Sequence, residues 1–277
     1  MKTVIASLSV ALASYVSCAH AEVQDCIEIV SLPAVITQQG IHCMKKDLAT
    51  SATTGNAITI NANNVTIEMN GYKLGGLAGG VNTQATGISA YNRQNITIRN
   101  GTIRGFLHNV KIEGPQIGGS SAGHLIEDVR SESARYVGLW VMGSHSVVKD
   151  NTVILTGGGT FTSAYGIVVQ FGEGHSVMDN IVNDVSESTL GYGIIASDTI
   201  GAVVEGNQVR DVVASTSYGI FSSGERSVIQ RNTIINFSAG TTGIDGQATN
   251  DACIGNAVTN FATPLNACSL SSGNLTF

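Results

Sequence analysis

A dipeptide recurs along this chain at a spacing too short for a domain and too regular for an ordinary loop. Gly138-Leu139, Gly166-Ile167, Gly193-Ile194, Gly219-Ile220 and Gly243-Ile244 each open a unit. Each unit then carries an Asn-x-[Val/Ile] step, at Asn151, Asn180, Asn207, Asn232 and Asn256, with intervals of 29, 27, 25 and 24 residues. Self-similarity at such a period marks stacked repeats. Within a unit, apolar residues alternate in short runs, as at Ile167 and Val169, then Val177, then Val182, and a period of two means strand. One unit cannot bury its apolar face alone, but stacked units pair each strand in parallel with its counterpart in the next coil. The pattern predicts an all-β fold, a single-stranded right-handed parallel β-helix (a solenoid) of about eight coils with terminal caps. At a coil spacing of about 4.8 Å its length is roughly 40 Å.

The recurrent Asn is expected at a corner of each coil. It tolerates the left-handed backbone of a sharp bend, and its amide can bond the identical amide above and below. Earlier units, Ile58 to Leu74, Gly87 to Ile103 and Val110 to Val129, are looser, with Asn70-Gly71 and Asn100-Gly101 near the same corner and Val129 where an Asn belongs. Unit length varies just before the next Gly, as solenoids tolerate. A β-propeller or leucine-rich repeat fits less well, because neither four strands per forty residues nor fixed leucines are present. The expected divisions are a signal peptide over 1–21, an N-terminal cap over 22–57, coils over 58–266 and a C-terminal tail over 267–277.

Only 12% of residues are charged and Gly is 33 of 277, which argues against both disorder and long helices. The net charge of −6, without a Lys/Arg run, excludes a nucleic-acid partner. Lys2, the apolar stretch Val4 to Val16 and Ala19-His20-Ala21 read as a secretory signal. No other segment is long enough to span a bilayer. The expected location is therefore secreted or periplasmic. Beyond the signal, Cys26, Cys43, Cys253 and Cys268 remain, and an even count in an exported chain suggests disulfides. Of the three pairings possible, the local one (Cys26–Cys43 and Cys253–Cys268) is expected, stapling each end.

The phrases Asn64-Val-Thr-Ile-Glu-Met-Asn-Gly71, Asn95-Ile-Thr-Ile-Arg-Asn-Gly-Thr-Ile-Arg104 and Tyr218-Gly-Ile220 through Arg231-Asn-Thr-Ile234 resemble the right-handed β-helix proteins of the pectin-lyase-like superfamily. The resemblance covers about residues 25 to 266. It implies a fold and, as an expectation, a polysaccharide partner. It does not choose among lyases, epimerases, hydrolases and tailspikes, because sites are grafted onto folds. The Asp-Pro-His of C5-epimerases, the Asp-Asp pair of polygalacturonases and the Arg-x-Pro-x-x-Arg of pectate lyases are all missing from the sequence.

A uronate lyase needs a base and a group that neutralises the carboxylate, often Ca²⁺ or Arg. The position two after each coil-opening Gly should face outward, and it reads Ser89, Lys111, Trp140, Val168, Ile195, Phe221, Asp245. The candidate catalytic set is Lys111 as base, Arg135 as neutraliser and Glu113 beside them. The candidate substrate contacts are Trp140 as a stacking platform, Tyr136 and His108. Lys111 and Glu113 could equally be a plain surface ion pair. His124, His145 and His175, with Asp128, Asp150 and Asp179, form a second constellation. A cation site there competes with turn filling, and no metal is assigned. Ca²⁺ is possible as cofactor, although no Gly-Gly-x-Gly-x-Asp nonapeptide appears. Tyr165, Tyr192 and Tyr218 form a third, read as ring stacking along the solenoid or as a carbohydrate strip.

The expected function is an exported β-helix that binds, and processes in a lyase- or epimerase-like way, an acidic or cell-surface polysaccharide. The alternative is a non-catalytic structural or adhesive envelope protein whose apolar strip docks a partner. A polar cleft walled by loops 114–123 and 157–164 would favour the first, and a flat apolar face the second. Where a regular repeat relaxes, a site is expected, which directs attention to 104–145. Oligomeric state is open.

Overall fold

The computed structural model describes residues 25–116, 119–247 and 250–277. The expected signal segment 1–21 lies outside the described residues. The chain winds into a parallel β-solenoid of about nine coils rather than about eight. The difference arises at the ends, whose segments are themselves rungs. Ala34–Ile36, Gly40–Cys43 and Leu48–Ala49 pair in parallel with the next coil. Leu270–Ser272 and Leu275–Thr276 pair with the preceding one. Each end is stapled by a disulfide, Cys26–Cys43 and Cys253–Cys268, both with Cα–Cα separations of 5.8 Å. This is the local pairing expected from the sequence. Among the described residues no helix is long and apolar enough to cross a membrane.

The Gly-Ile repeat sets the register of the first strand stack. Ile58, Ile88, Val110, Leu139, Ile167, Ile194, Ile220 and Ile244 lie in one column, and all are fully buried. Where a glycine precedes the column residue, close approach enforces it; Ile58 follows Ala57. A Cβ at Gly166 would sit 2.5 Å from the carbonyl oxygen of Gly193 and 2.6 Å from Val182 Cγ1. In the coil of Val110 this slot holds Asn109 instead, fully buried. Its Nδ2 donates to Ile103 O, Ser131 Oγ and Glu132 O at 3.0, 2.9 and 3.1 Å. The irregular repeat at that coil thus has a structural cause.

The Asn-x-Val repeat builds a ladder. The backbone N–H and Nδ2 of Asn151 both donate to Oδ1 of Asn180 at 3.0 Å, and Asn180 does the same to Asn207. The pattern continues through Asn232 and Asn256 to Asn274. At its head, the Val129 N–H donates to Asn151 Oδ1 at 3.0 Å. One expectation is corrected: the left-handed residue at this corner is not the ladder Asn but the one before it. Asp150, Asp179, Gly206, Arg231 and Gly255 have φ of 57°, 55°, 68°, 54° and 63°. The ladder Asn must turn its amide into the core, so the bend falls on its neighbour. Left-handed asparagines do stack elsewhere: Asn64 and Asn95 (φ 55° and 54°) are joined by an Nδ2–Oδ1 bond of 2.8 Å.

Candidate functional site

Outward alternation in the first stack breaks once per coil, and that break shapes a trough. Gly166 and Ile167 both face the core, as their contacts with Val182 and the burial of Ile167 show. Tyr165 and Val168 are therefore splayed to either side of the inward pair. The same happens at Tyr192/Ile195 and Tyr218/Phe221, in register. Stacked, these positions form two walls running along the solenoid. One wall is His108, Val137, Tyr165, Tyr192 and Tyr218; the other is Lys111, Trp140, Val168, Ile195 and Phe221. The second wall is the column expected from the sequence.

Between them lies a concavity of about 320 Å³. Its floor and walls are Tyr136, Val137, Trp140, Tyr165, Val168, Tyr192 and Ile195, with Gln170, Leu190 and Ser197 at the rim. Tyr165 and Tyr192 stack at 5.4 Å and 7°, and Tyr192 and Tyr218 at 4.8 Å and 8°. Phe221 meets Tyr192 and Tyr218 edge-on at 5.3 and 5.4 Å, sealing one end. The loop containing Phe161 folds back so that this ring stacks on Tyr136 at 4.4 Å. At the same loop Gln84 Nε2 donates to Thr160 Oγ1 at 3.4 Å. The face is therefore neither a polar cleft nor a flat strip, but an aromatic trough capped at one end by Phe221.

Five of the six candidate site residues converge at the other end. Lys111 Nζ is 3.0 Å from Glu113 Oε1 and 5.0 Å from the Trp140 ring centroid. His108 lies 5.6 Å from Trp140 and 5.7 Å from Tyr136, ring to ring. Burial, and secondarily the charge of Lys111, lowers the His108 pKa to about 3, so the ring is neutral at pH 7. Its Nδ1 and the Trp140 Nε1 are both buried without a hydrogen-bond partner. Burial, with help from Tyr165, raises the Tyr136 phenol to about 12.

Arg135 is the sixth. It lies upstream of the corner, its N–H donating to Phe106 O at 2.8 Å and its Nε buried without a partner. It stands five positions before Trp140, the residue in register with Lys111. The sequence reading missed Gln170, Ser197, Leu190 and Phe161. Gln170 and Ser197 were findable, as the outward positions two after Val168 and Ile195.

The histidine constellation separates. His124, Ser146 and His175 share one buried column, whereas His145 is a left-handed, exposed residue 3.8 Å from Glu173. Among the described residues no three His, Cys, Asp or Glu side chains gather as a metal site requires. Ser121 Oγ lies 3.0 Å from His124 Nε2, which invites a nucleophile–base reading. However, the Ile96 N–H donates to His124 Nδ1 at 3.4 Å and the Ser121 hydroxyl donates to Met142 O at 2.9 Å. The Nε2 proton then points at Ser121, so this histidine cannot accept from it. Burial lowers the His124 pKa to about 4.

Comparison with known proteins agrees with this architecture. The Dettilon tailspike protein is similar in fold, with a TM-score of 0.57 at 16% identity over 89% of this chain and 51% of the tailspike. The catalytic domain of a GH87 α-1,3-glucanase, solved in complex with nigerose, gives a TM-score of 0.51 at 13% identity over 90% of this chain and 60% of that one. The chain thus spans about half the length of the tailspike it matches. No curated protein sequence matches it. The family described as right handed beta helix region matches residues 86–260, well over half the chain. By that match, and by the parallel coils that realise it, the chain belongs to the right-handed β-helix family.

Proposed function

We propose that this chain is an exported saccharide-binding β-helix, with the aromatic trough as its binding site. The observation that carries the reading is the composition of that trough. Aromatic and aliphatic walls offer apolar surface, while Gln170, Ser197 and the tyrosine hydroxyls supply a few polar groups around it. Sites of this make-up suit ligands with apolar faces and hydroxyl edges, as sugars have. The fold is shared with a tailspike and with a glucanase solved with a disaccharide, which supports the same ligand class. Two disulfides support export to an oxidising compartment.

The proposed role is retention of a saccharide rather than its cleavage. A glycoside hydrolase uses two carboxylates across the scissile bond, and the lining residues include none. Lys111, Glu113 and His108 hold the Trp140 end of the trough. The test is affinity electrophoresis of the oxidised protein through gels cast with individual polysaccharides. Retardation by at least one polymer, lost in Trp140→Ala, is expected. Unchanged retardation in Trp140→Ala would remove the trough as the site.

A further inference from the structure

We infer that the saccharide taken by the trough is uncharged, a neutral or N-acetylated sugar rather than a uronate polymer. This rests on the saccharide reading above and narrows it. None of the lining side chains carries a formal charge at neutral pH. His108, at the Trp140 end, is neutral through burial, and the phenols of Tyr136 and Tyr192 keep their protons well above pH 7.

The cation beside the Trp140 ring is already engaged. Lys111 is 3.0 Å from Glu113 and sits over the Trp140 ring at 5.0 Å. A uronate carboxylate would have to displace Glu113 to reach it. Elsewhere the surrounding charge has the wrong sign for an acidic chain. At the rim, Gln170 Nε2 donates to Asp198 Oδ2 at 3.3 Å. Beyond the Phe221 seal, in the same column as Val168 and Ile195, stands Asp245, 2% exposed. It accepts from Asn266 Nδ2 and Gln247 Nε2 at 3.0 and 3.2 Å. Its charge reaches the trough, since it contributes to raising the Tyr192 phenol.

An anionic ligand would lose hydration on entering and meet no charged side chain in the lining, a combination that costs free energy. A cationic ligand would find both carboxylates already hydrogen-bonded to side-chain amides. An uncharged sugar has neither difficulty. Its hydroxyls can accept from the unpartnered Trp140 Nε1–H, once the side chain shifts to meet them, and donate to the Gln170 and Ser197 oxygens.

The test is isothermal titration of the oxidised protein with length-matched oligosaccharides in three classes: neutral glucan and N-acetylglucosamine oligomers, oligogalacturonate, and glucosamine oligomers. Each is run at low and at high salt. At least one neutral oligomer should bind about tenfold or more tightly than either charged class, with affinity unchanged by salt. Gln170→Lys should bring oligogalacturonate affinity up at low salt. If oligogalacturonate binds best, weakens with salt and is lost in Lys111→Ala, neutrality is refuted while the saccharide reading stands. Preference for glucosamine oligomers, or equal binding of all classes, refutes it too. Binding of none refutes both.

Discussion

Removing one amide from the interior of the asparagine ladder should come close to unfolding the chain. Asn180 is fully buried and its side chain makes four hydrogen bonds. Its Nδ2 donates to Val148 O at 2.9 Å and Asn207 Oδ1 at 3.0 Å; its Oδ1 accepts from Asn151 N and Nδ2 at 3.0 Å each. At about 1 kcal/mol net per bond the loss is about 4 kcal/mol. Asn180→Ala also strands the Asn151 N–H and the Val148 carbonyl away from water, which carries the cost toward ~6 kcal/mol. That approaches the whole stability of many domains, about 5–15 kcal/mol. The corresponding fall in Tm for a chain of this size is on the order of 10–20 °C.

Asn274 provides the control. Its Oδ1 accepts the same pair of donors, from Asn256 N and Nδ2 at 2.9 Å each, but it is half-exposed. Water can replace it, so Asn274→Ala should cost about 1–2 kcal/mol. The assay is urea and thermal unfolding of both oxidised variants, followed by circular dichroism. Equal losses in the two, or a loss under 1 kcal/mol in Asn180→Ala, would falsify the assignment of stability to the buried ladder.

Two further outcomes follow from the geometry. Gly193→Ala should prevent native folding, because its Cβ would lie 2.5 Å from Gly219 O and 2.4 Å from Val209 Cγ1; a soluble variant with wild-type Tm would contradict the close-approach argument. Stability should also fall in acid. The folded-state pKa of His124 is lowered to about 4 from 6.5, so its contribution, about 3 kcal/mol, is present above pH 6.5 and lost as pH falls through about 4. Tm measured across this window should slope less steeply in His124→Asn, and an identical slope would count against the burial.

The fold was legible because two residue types do jobs that few others can. The column from Ser89 through Lys111, Trp140, Val168, Ile195 and Phe221 to Asp245 was readable by counting from the glycines, and from Asn109 in the one coil that lacks the glycine, since each glycine is pinned by the carbonyl of the next coil. The ladder was readable from Asn151 onward, and Val129 marked its head. Its backbone geometry was not: the demand for an inward amide displaces the bend onto Asp150 and its equivalents, and composition at that neighbour is too mixed to show it. The trough was half legible. Both walls could be named, but its concavity depends on two consecutive inward residues, Gly166 and Ile167, which a strict alternation does not foresee.

The ladder also has a sense of direction. Each coil offers two donors, an N–H and an Nδ2–H, and the following coil supplies the single oxygen that takes them. Each rung therefore presents donors toward its C-terminal side and an acceptor toward its N-terminal side. At Asn274 one of the two donors is taken within the same coil, where the Nδ2 donates to Ser271 Oγ at 3.0 Å.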